Sequence, residues 1–142
     1  MYLQLYMFDR AVCERNYIYN FHYHLIWVTK YRSQAFTTPE LVDEMKNILL
    51  QLAEMKEICI EEMEVMPDHV HLLISFKPKH APADIVKYLK GHSAKMFLTA
   101  HPEIKNHDFW GGHLWSHSYY MSTLGNMSKE VVEQYIRNQY TK

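Results

Sequence analysis

The sequence predicts an α+β fold: a four-stranded antiparallel sheet in the order β-α-β-β-α-β, with an additional helix at the C-terminus. Three observations carry this. Two segments repeat apolar residues at helical spacing. Two β-rich runs, Cys59 to Met66 and His69 to Phe76, are joined by a tight Pro67-Asp68 turn. Runs rich in aromatic and β-branched residues precede the first helix and follow the second.

Taken in chain order, Tyr17 to Tyr31 reads as a long first strand. Thr38-Pro39 is a helix start, with a hydroxyl cap and a proline whose missing N–H costs nothing at the first helical position. Leu41, Met45, Ile48, Leu49 and Leu52 then line one face to about Glu57. After the hairpin, Ala83 to about Thr99 forms a second helix with Ile85, Leu89, Met96 and Phe97 inward. Gly91 lies within that helix, where glycine costs roughly 1 kcal/mol against alanine. Its presence suggests close packing or a ligand there. Leu114 to Leu124 is the fourth strand, Gly125-Asn126 ends it, and Ser128 to about Tyr140 is the final helix. This is the ferredoxin-like or RRM-like plan, which by itself names no function.

At 142 residues the chain holds one domain, spanning residues 1–142. It is 48% hydrophobic and 22% charged, as globular proteins are. No run of about 18 apolar residues exists, so no membrane contact is expected. The start lacks the basic and apolar blocks of a signal peptide. The two cysteines, Cys13 and Cys59, have no metal spacing, and with nine methionines they fit a reducing cytoplasm. The net charge of -1 hides a polarised distribution. Residues 40–68 hold nine acids and two bases, whereas residues 69–105 hold six lysines and two acids. A polyanion can bind one face of such a molecule. Ordinary solvated helix faces explain the same pattern.

His69-Val70-His71 opens the third strand. Positions i and i+2 of a strand share a face, so the two imidazoles converge while Val70 points to the other layer. Paired imidazoles suit a divalent metal. His22-Tyr23-His24 is a second such pair, and with ten histidines chance pairs arise easily. Tyr135 and Gln139, four apart on the final helix, share a face. A glutamine carbonyl is a hard oxygen donor compatible with Mg²⁺ or Mn²⁺ beside two histidines. Packing of Tyr135 on the sheet with Val132 and Ile136 is the competing account. Lys30 and Arg32 close the first strand and Lys87 and Lys90 share a helix face, placements suited to a single-stranded nucleic acid. Trp27, Tyr31, Phe76 and Trp115 are candidates to stack on bases, although core packing is the better reading of Trp27 and Trp115. Asp68 reads as a turn residue able to orient a neighbouring histidine.

Five blocks occur together in order: Tyr23-His-Leu-Ile-Trp-Val-Thr-Lys-Tyr-Arg32, Val65-Met-Pro-Asp-His-Val-His-Leu-Leu-Ile74, Leu89-Lys-Gly-His-Ser93, Gly111-Gly-His-Leu-Trp-Ser116 and Tyr135-Ile-Arg-Asn-Gln139. From about Tyr17 to Gln139 the ensemble resembles the single-tyrosine His-hydrophobic-His transposases of bacterial and archaeal insertion sequences. His117 departs from the pattern, standing where a small residue is expected. The resemblance implies His69, His71 and Gln139 as metal ligands, Tyr135 as nucleophile, and Mg²⁺ or Mn²⁺ as cofactor. It implies single-stranded DNA bearing hairpins at transposon ends as substrate, and a homodimer with active sites built across subunits. A non-catalytic RRM-like nucleic-acid binder, a domesticated relative acting on chromosomal repeats and a metal-dependent phosphohydrolase are the alternatives. A covalent protein-DNA adduct separates the tyrosine enzymes from the binder and the hydrolase.

Overall fold

Along β1 (His22–Val28), every residue from His24 onward is buried, although side chains alternate between the two faces. Burial on both sides marks a strand covered above and below. In the computed structural model, which describes residues 22–109, 111–123 and 134–138, β1 lies inside the sheet. The strand order of the sheet is β2 (Cys59–Met66), β3 (His69–Ser75), β1, β4 (Tyr120–Ser122), antiparallel throughout. That is the order of the predicted ferredoxin-like plan.

Within the described residues β1 is shorter than the sequence suggests. Thr29 ends it: its N–H donates to Asp68 O at 2.9 Å and its hydroxyl to Ser33 O at 2.6 Å. The chain then turns through a 3₁₀ segment, Lys30–Arg32, with Tyr31 and Arg32 at φ of 57° and 55°. Lys30 and Arg32 therefore sit on a turn beyond the strand. Residues 17–21 of the expected strand lie outside the described residues.

The first helix, α1 (Pro39–Met55), starts where predicted, with Thr38 Oγ1 accepting from Leu41 N–H at 3.2 Å. It buries Met45, Ile48, Leu49 and Leu52. The hairpin of β2 (Cys59–Met66) and β3 (His69–Ser75) has Met66 opposite His69, so Pro67 and Asp68 form a two-residue turn. Pro67 O accepts from the N–H groups of both Ala35 and Phe36, which ties the segment leading into α1 to this turn.

The second helix, α2 (Pro82–Ala100), buries Ile85, Leu89 and Phe97 as expected, but Met96 is 37% exposed. Residues four apart advance about 40° around a helix. The buried stripe thus rotates from Ile85 toward Phe97 and Leu98, and Met96 is left outside it. Close packing at Gly91 is not found either, since a Cβ there would meet nothing within 4 Å. A short helix that sequence patterning misses, α3 (Pro102–Asp108), packs against α2.

The fourth strand, β4 (Tyr120–Ser122), is far shorter than Leu114 to Leu124. Leu114 to Ser116 do engage β1, through a Thr29–Trp115 bridge and bonds from Lys30 N–H to Leu114 O and from Ser116 N–H to Val28 O. Residues 117–119 interrupt the pairing. Of the expected final helix, residues 134–137 are helical, residue 138 is in a turn, and the remainder lies outside the described residues.

The core lies between the helices and one sheet face. Trp27 and Trp115 meet edge to face at 5.5 Å, and Phe36 meets Phe97 at 5.2 Å. Phe76 is buried and stacks on Tyr23 at 5.1 Å. Three of the four aromatics considered for base stacking are thus core residues, and Tyr31, 51% exposed, is the exception. Among the described residues no helix is long and apolar enough to cross a membrane.

Candidate active site

The sheet face away from α1 and α2 gathers the chemistry. Strand alternation and register put His24 and Ile26 of β1, His69 and His71 of β3, and Glu62 and Glu64 of β2 on that face. Ile26 stands opposite both His71 and Tyr120, so His71 and Tyr120 occupy one row, with β1 between them.

His69 is oriented by its neighbour. Its Nδ1 lies 3.0 Å from Asp68 Oδ1, while Arg32 Nε donates to Asp68 Oδ2 at 3.4 Å. A carboxylate on Nδ1 fixes that nitrogen as the N–H and turns the Nε2 lone pair outward, the form in which imidazole ligates metal. Asp68 is therefore both turn residue and orienting group. His71 is half-buried, and its Nε2 lies 3.3 Å from His24 Nδ1. Burial, then the imidazole of His24, lowers its pKa against the opposing pull of Glu64 and Glu62. A neutral His71 keeps a lone pair for a cation.

Among the described residues no three His, Cys, Asp or Glu side chains converge to hold a metal ion. The His69/His71 pair fits a divalent ion by donor chemistry and leaves a third donor to come from elsewhere. Gln139 lies outside the described residues.

Tyr135 belongs to the helical residues 134–137. Its ring lies 5.8 Å from that of Tyr120, and its hydroxyl is 3.2 Å from Ser118 Oγ. Burial raises its pKa, with the Ser118 hydrogen bond acting in the opposite direction. The phenol therefore stays protonated at neutral pH.

The basic residues fall in two places. Lys30 stands over the Tyr31 ring at 5.5 Å, beside Arg32 at the end of β1. Lys87 lines a groove of about 750 Å³ between α2 and residues 112–119, together with Gly91, Lys95, Lys105, His113 and His117. Lys90 reaches the same groove, but its Nζ donates to Ser116 O at 2.8 Å and Ser118 O at 3.0 Å. Burial lowers its pKa to about 8. Gly91 thus faces open groove space.

Sequence reasoning missed three features here. His24 was visible only as half of a second His-x-His pair, and its approach to His71 depends on register across β1 and β3. Lys95 had a usable signal, since Lys87, Gly91 and Lys95 repeat at four-residue intervals. Ser118 had none, because its role follows from where residues 134–137 rest.

Comparison with known proteins is consistent with this geometry. A family model described as transposase, IS200 like, matches residues 17–139. The ISDra2 transposase TnpA of Deinococcus radiodurans is 43% identical over 128 residues, covering 90% of each chain. The transposase for insertion sequence element IS200 of Salmonella typhimurium is 33% identical over 125 residues, 85% of this chain and 78% of that one. The crystal structure of a candidate transposase from Deinococcus radiodurans R1 superposes with a TM-score of 0.77 at 42% identity, covering 85% of this chain and 92% of the other. A REP-associated tyrosine transposase bound to a REP hairpin, at 15% identity and a TM-score of 0.52, shares the fold.

The chain belongs to the IS200/IS605-like family of His-hydrophobic-His single-strand DNA transposases. It is a transposase that cleaves and rejoins DNA through a tyrosine phosphodiester, and membership implies chemistry that uses a divalent metal.

Proposed function

We propose that Tyr135 is the nucleophile, and that His69, His71 and Gln139 hold the Mg²⁺ or Mn²⁺ ion at which a hairpin-bearing single strand is cut. The observation that carries this is the shared sheet face: the two half-buried imidazoles stand on β3, and the Tyr135 ring lies against Tyr120 in the row of His71. A bound divalent ion would polarise the scissile phosphate and stabilise charge on the leaving oxygen. The Tyr135 oxygen forms a bond to phosphorus as the bond to the 3′-oxygen breaks. The products are a 5′-phosphotyrosine and a free 3′-hydroxyl; the phenol gives up its proton and the leaving oxygen gains one. Because the aryl phosphodiester preserves the bond in activated form, another 3′-hydroxyl can reverse the step without ATP.

Lys87, Lys95 and Lys105 in the groove, and Lys30 and Arg32 at the end of β1, supply positive charge for the DNA backbone. A purely RRM-like binder would need aromatics on an open sheet face, and Trp27, Phe76 and Trp115 are buried. We place the reaction in the cytoplasm, where the DNA is.

The test is incubation with the element's own single-stranded ends and Mn²⁺, followed by denaturing electrophoresis. A covalent protein-DNA adduct is expected with the hairpin-bearing strand. Annealing that strand to its complement should reduce both adduct and binding at least about tenfold, since among the described residues no element is built to read a major groove. Equal reaction with the duplex defeats this reading.

We further propose a homodimer with composite sites, in which the Tyr135 segment of one subunit completes the histidine site of the other. Such an arrangement holds both transposon ends for exchange. Mixing Tyr135→Phe protein with His69→Ala/His71→Ala protein, each inactive alone, should restore cleavage once subunits exchange. Exchange without restored activity would mean that each site is built within one chain.

A further inference from the structure

We infer that Lys90 is a positioning residue for the nucleophile, acting from α2 through the Ser116–Ser118 backbone and the Ser118 hydroxyl on Tyr135. This rests on the reading of Tyr135 as nucleophile. Lys90 lines the basic groove with Lys87 and Lys95, and a phosphate contact is the obvious role for it. The geometry assigns its ammonium elsewhere. Two of its three N–H groups are used on carbonyls, Ser116 O at 2.8 Å and Ser118 O at 3.0 Å, and Tyr119 lies beneath it at 5.9 Å. The same helix makes a second link three residues from the first: Ser93 Oγ accepts from Trp115 Nε1 at 3.0 Å and donates to Lys90 O at 3.2 Å.

These bonds hold the stretch where β1–β4 pairing is interrupted. Residues 117–119 lack ladder bonds to β1, so their path is set by what grips them from outside the sheet. Lys90 grips from the helical side, and on the other side Ser118 Oγ meets the Tyr135 hydroxyl at 3.2 Å. A shift in residues 116–118 therefore moves a group that touches the attacking oxygen. Burial of the ammonium, with a pKa lowered to about 8, fits a charge committed to internal acceptors. The arrangement also explains why the Leu89–Ser93 and Gly111–Ser116 blocks belong together: they meet at Lys90 with Ser116 and at Ser93 with Trp115.

The test separates positioning from phosphate binding. Full-length Lys90→Met, Lys90→Arg, Ser118→Ala, the Lys90→Met/Ser118→Ala double variant and Lys87→Met are compared on the single-stranded end with Mn²⁺. Single-turnover adduct formation is measured at saturating DNA, and Kd is measured against salt. Misplaced reacting groups cost roughly 10- to 100-fold in rate, and we expect a loss in that range for Lys90→Met and a smaller one for Ser118→Ala. Lys90→Arg should recover part of it. The double variant should be no slower than Lys90→Met alone, because both changes cut one chain of contacts.

The slope of log Kd against log salt should be unchanged by Lys90→Met, whereas losing one single-strand phosphate contact, as in Lys87→Met, lowers it by roughly 0.7. A lowered slope in Lys90→Met with a wild-type rate at saturation would make Lys90 a phosphate contact and overturn the inference. Additive losses in the double variant would overturn it too. Should Lys90→Met fail to fold, the exposed Ser118→Ala decides: a wild-type rate overturns the inference and a reduced rate upholds it. Adduct formation by Tyr135→Phe would instead sink the assignment of the nucleophile, a separate outcome.

Discussion

Tyr135→Phe is expected to abolish adduct formation, by at least about 10³-fold, while leaving the fold and DNA binding intact. The substitution removes one oxygen. The ring can keep its place against Tyr120, and the 3.2 Å contact to Ser118 Oγ is lost with the hydroxyl. A hydrogen bond of that kind contributes about 1 kcal/mol, far too little to unfold a domain or to account for a thousandfold loss in rate. Denaturing electrophoresis reads the adduct directly, and a gel shift on the same strand reads binding. Persistence of the adduct would move the nucleophile to another tyrosine, with Tyr140 the first to examine.

His69→Ala and His71→Ala should each lower Mn²⁺ affinity at least about 10²-fold and eliminate cleavage, because in the proposed site each is one of few ligands around an open position. His22→Ala should do neither. The structure supplies the reason: His22 lies at the start of β1 with its Nδ1 2.6 Å from Glu61 Oε2, in a surface pair. The consequences of the two alanine variants differ in kind. His69→Ala leaves Asp68 facing Arg32 without its imidazole partner, whereas His71→Ala leaves His24 without the contact at 3.3 Å. Calorimetric titration of the three proteins with Mn²⁺ checks this. Loss of binding confined to His22→Ala would shift the site to β1.

Much of this architecture was legible because local chemistry and global fold agree. Thr38-Pro39 starts a helix wherever it stands, and Pro67-Asp68 between two β-rich runs forces a hairpin that puts His69 and His71 on one face. The misses share a different cause. Where β1 ends depends on Thr29 finding Asp68 and Ser33, partners 39 and 4 residues away. The brevity of β4 depends on residues 117–119 leaving β1, and α3 is too short for periodicity to register. The exposure of Met96 follows from the rotation of a buried stripe, which shows only once the helix is docked. In the site, His69 and His71 were readable as neighbours in sequence, but His24 beside His71 and Lys90 on the 116–118 carbonyls are products of tertiary register. Basic residues on a helix face look alike in a sequence. Only the acceptors around Lys90 distinguish it from Lys87.

The hairpin turn has a consequence for how the molecule opens. Three amides from outside the hairpin, those of Thr29, Ala35 and Phe36, donate to just two carbonyls, Asp68 O and Pro67 O. Fluctuations that release the stretch between β1 and α1 must break bonds to the turn that carries Asp68, and distortion of the turn must release that stretch. Such segments open and close as one cooperative unit. The orientation of His69 and the placement of Lys30 and Arg32 are therefore gained and lost together, and amide exchange at Thr29, Ala35 and Phe36 should report a single opening free energy.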